Sequence, residues 1–571
     1  MKNINTIRHS LAHIMAFAIQ ELYPEPKFGI GPATENGFYY DFDLPKKITL
    51  EDLPKIEKKM REIIKKNFSF KKKSVSKNEA KKIFKGQPYK LELIKDLPEG
   101  KKTVSVYYSG KFVDLCSGPH VKSTRELPAF FRLSKIAGAY FKGSEKNPML
   151  TRIYGLAFET KKELSDYLAL QQEAEKRDHR ILGQKLDLFI FDEEVGAGLP
   201  VWQPKGMVLN KIIEDYLYSS LTAQNYQWIK SPHIGKLDLW KTSGHWHLYK
   251  ENMYSPIKID EEKYLIKPMN CPFHVKVFQS KVRSYKDLPL KYAEFGTVYR
   301  YEKSGVLHGL TRVRGFTQDD AHVWCTPEQT SEETAKLLKS GLKILKTFGF
   351  NNYDIYLSTR PEKYAGTLKD WQKATNILKY ILKDLKLNWQ TDPGGGVFYG
   401  PKIDIKIKDS LARPWQCTTV QVDFNLPERF NINYIDKKGK KKPVIMLHRA
   451  LIGAFERFIG VLIEHYAGAF PLWLSPIQMQ IIPIAERHKK YAKTIEKKLI
   501  EENFRVELKD ENETVSKKIR NGETQKIPCL LVVGDKEMKN KSVRWRKRNK
   551  GDMGEIKIEK FIEKMNKELK K

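Results

Sequence analysis

The sequence has few cysteines, no long apolar run and no excess of acidic residues. The 571 residues contain five cysteines, at positions 116, 271, 325, 417 and 529. An odd, small number is typical of free or ligand thiols in a reducing compartment and not of a disulfide framework. No apolar stretch reaches the roughly 18 residues that span a bilayer, and the start, MKNINTIRHS, does not resemble a secretory signal. We therefore expect a cytoplasmic protein without a membrane segment.

Basic residues, in contrast, are abundant. Lys and Arg number 103 against 69 Asp and Glu, which gives a formal net charge of +34. Such a charge favours a polyanionic partner, although a lysine-rich composition alone gives the same value, and part of it is solvated surface. With 40% hydrophobic residues, a chain of this length predicts several packed domains instead of one core.

The residue pattern changes along the chain and predicts four segments of an α+β multidomain protein. Residues 1–158 combine a helical start with strand-like runs at 38–43, 104–108 and 112–115. Residues 159–180 are charged and free of helix breakers, which suits a linker helix. Residues 181–472 alternate strands, glycine loops and aromatics, and residues 473–571 indicate a small α/β domain with the order strand, helix, strand, helix, strand.

The most informative stretch runs from Glu294 to His322. Two strand-like runs flank a loop that contains glycine and serine, and Arg300 and Arg312 stand at its two ends. A hairpin would bring these arginines together, where their rigid guanidinium groups could hold phosphate and carboxylate oxygens. Charge alone favours a simpler interpretation, a basic surface hairpin without a ligand.

Two sets of cysteine and histidine residues accompany this stretch. Cys271, His322 and His448 lie far apart in the sequence, so their spacing carries little weight, and a lone buried Cys or His usually belongs to the core. If they converge, they form a three-ligand zinc site with an open position, the arrangement of a zinc that contacts substrate.

The second set lies near the N-terminus. His9 and His13 are four residues apart, on one face of a helix, and Cys116 and His120 have the same spacing. Spacing alone favours a closed zinc site with four ligands.

Five segments carry a resemblance to a known family: MNCPFHV (269–275), EFGTVYRYEKSGVLHGLTRVRGFTQDDAHVWC (294–325), VFYGPKID (397–404), WQCTTVQVDF (415–424) and HRALIGAFERFIGVLIEHYAG (448–468). They resemble the bacterial threonyl-tRNA synthetases, which are class II aminoacyl-tRNA synthetases, and the likeness covers nearly the whole chain. It implies an antiparallel class II sheet flanked by helices, an α/β editing domain at residues 1–158 and an α/β anticodon-binding domain at residues 473–571. The implied partners are ATP, threonine, tRNA(Thr) and a second copy of the chain, which meets the first through motif 1 at Pro232. The implied cofactors are one Zn²⁺ per subunit and Mg²⁺ with ATP.

The resemblance also implies roles for individual residues. Arg300 matches the arginine that grips the ATP α-phosphate and the amino-acid carboxylate, and Arg457 matches the one beneath the γ-phosphate. His245 is similar to a histidine near the ribose of the terminal tRNA adenosine. The implied zinc ligands are Cys271, His322 and His448. The residues implied around ATP are Glu302, Arg312 and Phe316, with Lys402 and Gln416 in the same pocket, and those implied around threonine are Gln318, Asp320, Tyr399 and Gln421.

Selection of threonine explains why such an enzyme needs two sites. An apolar pocket separates threonine from valine by only roughly 100-fold, whereas a zinc ion that binds the amino group and the hydroxyl requires the hydroxyl. Serine keeps that hydroxyl and loses only a methyl group worth about 1–3 kcal/mol, so a hydrolytic site is needed. The resemblance gives this role, without a catalytic metal, to the N-terminal set and its neighbours, in disagreement with the spacing argument. The implied editing residues are His9, His13, Tyr40, Lys90, Asp114, Cys116 and His120.

The resemblance leaves some points open at both ends of the chain. Its base-reading positions match Asn512, Glu537 and Arg544, but the loop at 539–541 differs in length from the family pattern, so the arginine assignment is open. Relatives commonly carry a ubiquitin-like domain before the editing domain, and we expect it to be absent because His9 is close to the start.

Two rival interpretations are an RNA-binding paralogue without catalysis and a hydrolase that uses only the N-terminal set. The first is disfavoured by the presence of Arg300 and Arg457, and the second leaves about 400 residues without a role.

Overall fold

The computed structural model of the chain describes residues 3–98, 100–409 and 412–569. The chain divides into two compact units, with the division between Gln172 and Glu173. Across the described residues, no helix is both long and apolar enough to cross a membrane.

The first unit begins with the expected helix. The Asn3 side chain accepts the Asn5 amide at 3.0 Å and caps the helix start, and the apolar face, Leu11 to Ile19, is fully buried. The strand-like runs predicted at 38–43, 104–108 and 112–115 are confirmed. In chain order the elements are α1 Ile4–Leu22, β1 Lys27–Phe28, β2 Ala33–Thr34, β3 Gly37–Asp43, α2 Leu53–Lys65, β4 Phe70–Ser76, α3 Lys77–Ile83, α4 Pro88–Lys95, β5 Thr103–Ser109, β6 Phe112–Leu115, β7 Arg132–Tyr140, β8 Met149–Leu156 and α5 Lys161–Arg177, which extends past the division.

Two antiparallel sheets make up this unit. One has the order β1-β3-β8-β7, with β2 paired to β3, and the other has the order β4-β5-β6. Apolar residues of α1 and α2 form one core cluster with Phe38 and Phe42 of β3 and Phe112 of β6. That core fixes α1 beside the end of β6, where Asp114 and Cys116 lie.

The second unit opens with a break in the helical stretch predicted at 159–180. The helix α5 ends at Arg177, and a new helix begins at His179 with Asp178 as its cap. The following elements up to residue 466 are α6 His179–Lys185, β9 Phe189–Ile190, β10 Val201–Trp202, α7 Pro204–Thr222, β11 Gln227–Trp228, β12 Ile234–Lys236, α8 Leu237–Thr242, α9 His245–Leu248, β13 Ile257–Ile259, β14 Glu262–Ile266, α10 Cys271–Gln279, β15 Leu290–Tyr299, β16 Gly315–Cys325, α11 Thr330–Thr347, β17 Tyr353–Ser358, α12 Leu368–Asp384, β18 Gln390–Asp392, β19 Lys402–Lys408, β20 Pro414–Asp423, α13 Asn425–Arg429, β21 Asn433–Ile435, β22 Lys441–Pro443, β23 Ile445–Ala454 and α14 Phe455–Tyr466.

An eight-stranded sheet organises this part of the chain, with the order β11-β15-β16-β23-β20-β19-β17-β18. Its pairs are antiparallel except the two at the edges, β11·β15 and β17·β18. The predicted hairpin is confirmed, since β15 and β16 pair from Leu290 with Trp324 to Tyr299 with Gly315. Helices α7, α11, α12 and α14 contribute to the main core around this sheet, so the expected antiparallel sheet flanked by helices is correct.

The strand register places several polar residues in one row across the sheet. His322 of β16 lies opposite His448 of β23, and His448 lies opposite Gln421 of β20. Three segments that are remote in sequence therefore meet at a single level, because the antiparallel register fixes which side chains are neighbours.

The C-terminal segment folds on its own smaller sheet, with the order β25-β24-β26-β27-β28. The first three strands are parallel and the last two pairings are antiparallel. The predicted order of strand, helix, strand, helix, strand is confirmed and is followed by further elements. In chain order they are β24 Met479–Pro483, α15 Lys489–Glu501, β25 Val506–Leu508, α16 Val515–Thr524, β26 Cys529–Val533, α17 Asp535–Asn540, β27 Ser542–Lys547, β28 Gly551–Lys557 and α18 Ile558–Leu569.

Candidate active sites

A cavity of about 350 Å³ lies on the eight-stranded sheet where β16, β23 and β20 meet the start of α14. It brings together most of the residues that the sequence singled out in this unit. Those that line it are Cys271, Arg300, Phe316, Gln318, Asp320, His322, Tyr399, Gln416, Gln421, His448 and Arg457.

One end of the cavity holds arginines and an aromatic ring. The guanidinium of Arg300 lies 5.1 Å from the centre of the Phe316 ring and 5.7 Å from that of Tyr249, distances at which a cation is attracted to a ring face. Its Nε donates to the carbonyl of Pro268 at 3.3 Å. The Arg300 side chain is therefore held in place while the remaining guanidinium donors stay available for a ligand.

Arg457 approaches the same end from helix α14. Its Nε donates to the carbonyl of Thr311 at 3.0 Å, and burial lowers the pKa of its guanidinium. Outside the cavity lining, the Arg312 guanidinium meets the Glu302 carboxylate at 3.0–3.1 Å. A ligand at this end meets permanent positive charge, because arginine does not lose its proton in proteins.

The other end of the cavity holds His322 and His448. In each of these rings, the nitrogen that does not face the other histidine has a defined partner. His274 Nε2 lies 3.0 Å from the Glu294 carboxylate, and His274 Nδ1 lies 3.0 Å from His322 Nδ1. Burial opposes ionisation of Glu294, but bonds from His274 and the Ser231 amide hold its pKa below the ordinary value. An ionised carboxylate only accepts, so His274 donates from Nε2 and accepts His322 Nδ1–H. His322 Nε2 is then the unprotonated nitrogen.

The same argument applies to His448. Its Nε2 lies 2.8 Å from the Asp423 carboxylate, so Nε2 carries the proton and Nδ1 has the free lone pair. His322 Nε2 and His448 Nδ1 face each other at 2.9 Å. Two lone pairs at this distance repel unless a cation lies between or beside them, and neutral imidazoles of this kind are the usual metal ligands.

The thiol of Cys271 stands farther away. The ligand atoms of Cys271, His322 and His448 do not all lie within 4.8 Å of one another, whereas tetrahedral zinc places N and S ligands about 3.3–3.6 Å apart. Cys271 Sγ instead lies 3.8 Å from His245 Nε2. Burial raises the pKa of the Cys271 thiol and lowers that of His322, which favours the neutral form of both. The donor set suits zinc, and the thiol would have to turn towards the histidines to complete it.

Three side chains frame the space beside the histidine pair. The Tyr399 hydroxyl donates to Gln421 Oε1 at 2.7 Å, and the Tyr399 ring stacks on His448 with a centroid distance of 4.9 Å. Asp320 accepts from Asn270 Nδ2 at 3.0 Å. This end of the cavity thus offers a fixed carboxylate, an amide and a phenol to a small polar ligand.

Lys402 and Gln416 share a partner that the sequence did not reveal. Both reach the Asp404 carboxylate, at 2.7 Å and 2.8 Å respectively, and Ser358 Oγ donates to the same group at 2.9 Å. Gln416 lines the cavity, and Lys402 is joined to it through their shared partner, Asp404. A search for charge pairs two residues apart on a strand could have found Lys402 and Asp404, but not the bond to Ser358.

His245 is fully buried. Its Nδ1 lies 2.8 Å from Ser243 Oγ, and burial, with His448 and two arginines nearby, lowers the pKa of its imidazole to about 3. It therefore lies next to the proposed zinc ligands, and any contact with a tRNA ribose would require its surroundings to open.

Four other buried polar residues support the site and were missed in the sequence. His274, Glu294 and Asp423 set the histidine tautomers, and the Asp319 carboxylate accepts the amides of residues 451–453 at 2.8–3.1 Å. His274 is in the MNCPFHV motif, three residues after Cys271, and that spacing on a helix was a usable signal. The partners of Asp423 and Asp319 depend on strand register and gave no signal in the sequence.

The N-terminal set converges in the first unit, on α1 and the loop after β6. His9 Nε2 and His120 Nε2 each lie 3.3 Å from Cys116 Sγ. The ligand atoms of His9, His13, Cys116 and His120 all lie within 4.8 Å of one another, as a metal site requires. The structure thus brings together all four residues that both interpretations of this set need.

Asp114 links this cluster to the remaining predicted residues. It accepts the Tyr40 hydroxyl at 2.7 Å, forms an ion pair with Lys90, and lies 3.4 Å from His13 Nε2. Lys90 also donates to the Tyr40 hydroxyl at 3.1 Å. All seven predicted residues of this pocket are therefore connected through direct contacts.

Burial dominates the proton equilibria of the pocket. It lowers the pKa of His9, His13 and His120 and raises the pKa of the Cys116 thiol to about 11. Without a metal, three neutral imidazoles and a protonated thiol line the pocket.

The three predicted base-reading residues are spread over the C-terminal segment. Asn512 is exposed in the loop between β25 and α16. Glu537 is buried and accepts the Gly534 amide at 2.9 Å as a cap of α17, and Arg544 pairs with Asp552 at 2.6–2.8 Å. Glu537 and Arg544 already have protein partners, so base reading by either would replace an existing contact.

Comparison with known proteins assigns these units to a class. The family model of the tRNA synthetase class II core domain (G, H, P, S and T) matches residues 254–466. The anticodon binding domain matches residues 478–568, and the threonyl and alanyl tRNA synthetase second additional domain matches residues 104–154. The fold is that of a class II aminoacyl-tRNA synthetase with an editing domain.

Relatives narrow the assignment. A threonine–tRNA ligase from Sulfurihydrogenibium sp. is 52% identical over 570 residues, which cover 99% of this chain and 88% of the relative. One from Aquifex aeolicus is 50% identical over 574 residues, with 100% and 90% coverage. A solved RNA binding domain of threonyl-tRNA synthetase from Cryptosporidium parvum aligns with a TM-score of 0.66 at 40% identity, covering 68% of this chain and 98% of that one. The chain belongs to the threonine–tRNA ligase family.

Proposed function

We propose that this chain ligates threonine to tRNA(Thr) and hydrolyses Ser-tRNA(Thr). Threonine and ATP react to threonyl-adenylate, and a hydroxyl of the terminal tRNA ribose then accepts the threonyl group. Family membership supports this activity. The observation that carries it is the single cavity with Arg300 and Arg457 at one end and the facing nitrogens of His322 and His448 at the other.

The arginine end is proposed to bind ATP, with Mg²⁺ as in class II synthetases. Arg300 grips the α-phosphate and the threonine carboxylate, Arg457 lies under the γ-phosphate, and Phe316 stacks on adenine. Glu302 and Arg312 hold the nucleotide from the loop between β15 and β16, with Lys402 and Gln416 in the same pocket. In-line displacement at phosphorus needs mainly alignment and charge stabilisation, and guanidinium groups held by packing provide both.

The histidine end is proposed to select threonine, with Cys271, His322 and His448 holding one Zn²⁺. Bound there, zinc would act as a Lewis acid for the amino group and the hydroxyl of threonine. Valine lacks the hydroxyl and would leave that position on the zinc empty. Glu294, acting through His274, keeps the His322 lone pair directed at the site, and Asp423 does the same for His448. Gln318, Asp320, Tyr399 and Gln421 surround the rest of the amino acid.

His245 is proposed to act in the transfer step, near the ribose of the terminal adenosine. Its position beside Cys271 supports this, because an acceptor ribose must reach the threonyl carbonyl close to the zinc ligands. Movement of the short helix α9 would be needed to open the buried ring to a ribose.

The N-terminal pocket is proposed to hydrolyse Ser-tRNA(Thr) without a catalytic metal. The neutral imidazoles of His9, His13 and His120 can take a proton from an attacking water, while Lys90 and Tyr40 hold Asp114 in place. A metal-dependent hydrolase is the second candidate, because the four ligand atoms are close enough for an ion. Metal analysis distinguishes the two mechanisms.

The remaining assignments concern organisation and partners. We propose domains at 1–158, 159–180, 181–472 and 473–571, and base reading by Asn512, Glu537 and Arg544. A homodimer through motif 1 is supported by Pro232, which is exposed, and by apolar side chains on the nearby small sheet β12-β14-β13, where Ile234, Ile257 and Ile259 are each 46–47% exposed. A cytoplasmic location is supported by five cysteines that are all unpaired.

Amino-acid-dependent exchange of pyrophosphate into ATP tests the function directly. Threonine should stimulate exchange strongly, serine weakly and valine hardly at all, and purified Ser-tRNA(Thr) should be deacylated by the same preparation. Exchange that responds to valine as well as to threonine would refute the proposed pocket, and no exchange with any amino acid would refute the activity.

A further inference from the structure

His179, the first residue of α6, is fully buried, and both nitrogens of its ring have partners. Nδ1 lies 2.6 Å from Glu464 Oε1 of α14, and Nε2 accepts the backbone amide of Leu310 at 3.0 Å. No role was assigned to this residue from its sequence. It lies where the start of α6, the turn Gly309–Thr311 and the helix that carries Arg457 meet.

The hydrogen-bond pattern fixes the tautomer of His179. The Leu310 amide can only donate, so Nε2 is unprotonated and Nδ1 donates to Glu464. The same Glu464 oxygen also accepts the backbone amide of His179 at 3.3 Å, and its other oxygen pairs with Arg413. The ring therefore has one orientation and one protonation pattern.

This cluster is a clamp and not a metal site, although Asp178, His179 and Glu464 have ligand atoms within 4.8 Å of one another. Asp178 is held by Arg180 at 2.5–3.1 Å, Glu464 is paired with Arg413, and Nε2 is used by the Leu310 amide. The lone pairs that an ion would need are already taken by protein donors.

Two glycines let the three elements come this close. Gly309 has a φ of +47°, and a Cβ there would lie 2.2 Å from His179 Nε2. A Cβ at Gly460 of α14 would lie 3.3 Å from Leu310 Cβ and 3.4 Å from His179 Cδ2. The turn is thus pressed against the His179 ring on one side and against α14 on the other.

The turn is also joined to the arginines proposed to bind ATP. The carbonyl of Thr311 accepts Arg457 Nε at 3.0 Å, and Arg312, the next residue, pairs with Glu302. Leu310 is fully buried, so without His179 its amide loses its partner in a place that water does not reach. The turn would then be expected to shift, and both arginines with it.

We propose that His179 is a positioning residue for adenylate formation: by accepting the Leu310 amide it holds the turn Gly309–Thr311 against α14, and so sets where Arg312 and Arg457 meet ATP. The inference rests on the proposed ATP-binding roles of those two arginines. It predicts a defect in the use of ATP with threonine binding and editing intact.

A matched pair of substitutions in the full chain tests the hydrogen bond itself. His179→Gln can place an oxygen near the Nε2 position and keep the acceptor for Leu310, whereas His179→Asn places its amide near Nδ1 and loses that acceptor. In threonine-dependent pyrophosphate exchange, His179→Asn should lower kcat/KM for ATP by about 10- to 100-fold, as misplaced catalytic groups do. His179→Gln should stay much closer to the unmodified chain, and the KM for threonine should stay unchanged in both.

Two further variants complete the design. His465→Asn, at a half-buried histidine on α14 whose ring contacts Phe350, controls for the loss of an imidazole from this region and should leave kcat/KM for ATP unchanged. Gly309→Ala pushes a methyl group against Nε2 from the turn side and should reproduce the defect for ATP if His179→Asn does not fold. Deacylation of Ser-tRNA(Thr) should be normal in every folded variant.

The possible results separate this inference from the proposed function. Equal effects of Asn and Gln, a loss that affects ATP and threonine alike together with a lower Tm, or a Gly309→Ala variant with normal use of ATP would each overturn the inference. If the unmodified chain shows no threonine-dependent exchange, the proposed function fails and takes the inference with it.

Discussion

The chain contains two clusters of cysteine and histidine residues. The distances between ligand atoms alone would assign a metal to the N-terminal cluster and not to Cys271, His322 and His448, which is the opposite of the function proposed here. In the N-terminal pocket four ligand atoms lie within 4.8 Å of one another, whereas the catalytic set of Cys271, His322 and His448 does not meet that limit. The catalytic set has another property. His448 is hydrogen-bonded to the Asp423 carboxylate. His322 is hydrogen-bonded to His274, which is itself hydrogen-bonded to the Glu294 carboxylate.

This difference shows what prepares histidines for a metal. Outer partners fix which nitrogen is unprotonated, so that lone pairs converge before any ion arrives. In the N-terminal pocket the Asp114 carboxylate is shared among Lys90, Tyr40 and His13. This contrast supports the two proposed roles, proton transfer for the imidazoles of the N-terminal pocket and metal coordination for those of His322 and His448.

The largest expected effect comes from removing a histidine that is proposed to bind zinc. His322→Ala should lower threonine-dependent pyrophosphate exchange by at least about 10³-fold, because a Lewis acid contributes several kcal/mol. Deacylation of Ser-tRNA(Thr) should stay unchanged, which serves as the control within the same molecule. Substantial exchange in this variant would mean that the histidine pair does not hold the group that selects threonine.

Substitutions in the N-terminal pocket are expected to have the reverse result, a loss of deacylation with pyrophosphate exchange retained. Replacing His9 and His13 together by alanine should slow deacylation of Ser-tRNA(Thr) by about 10²-fold or more, the usual contribution of acid–base groups, and leave pyrophosphate exchange intact. The measurement is the rate of release of serine from purified Ser-tRNA(Thr). An unchanged rate would remove these histidines from the hydrolytic mechanism.

A smaller effect is expected when a hydrogen-bond partner of a zinc-binding histidine is removed and the histidine itself is kept. His274→Phe removes the acceptor of His322 Nδ1–H without touching a proposed ligand, and it should weaken zinc binding by about 10- to 100-fold, measured by competition with a chelator. His465→Phe is the matched control and should bind zinc as the unmodified chain does. The comparison between the two clusters would lose its basis if both variants bound zinc equally well.

The last expected effect is on stability and not on activity, and it concerns Glu456, next to Arg457. Burial raises the pKa of its carboxyl from 4.5 to about 8, so between these values the folded chain keeps a proton that the unfolded chain has lost. Stability must then fall as pH rises through that window, by about 1.4 kcal/mol per pH unit at most.

Glu456→Gln keeps an oxygen that can accept the Thr317 amide, bonded at 2.9 Å in this structure, and cannot ionise. Its Tm should exceed that of the unmodified chain by more at pH 8 than at pH 5. The same difference in Tm at the two pH values would show that Glu456 ionises normally.

Much of this organisation could be predicted from sequence, and the exceptions have physical reasons. The β15–β16 hairpin, the strands at 104–108 and 112–115, and the spacing of His9 with His13 and of Cys116 with His120 follow from local patterns. The bonds of His448 to Asp423 and of His179 to Leu310 could not be predicted, because they depend on strand register and on the close contact of three elements remote in sequence. Spacing favoured a metal site for the N-terminal set, whereas the resemblance implied a hydrolytic role, and the fold alone does not separate the two because both use the same four residues.

The most direct test of the comparison is the zinc content of the purified full chain and of two variants. The proposal predicts one equivalent of zinc per chain, retained in Cys116→Ala and lost in His322→Ala. Two equivalents in the unmodified chain, or a loss of zinc in Cys116→Ala with none in His322→Ala, would contradict it.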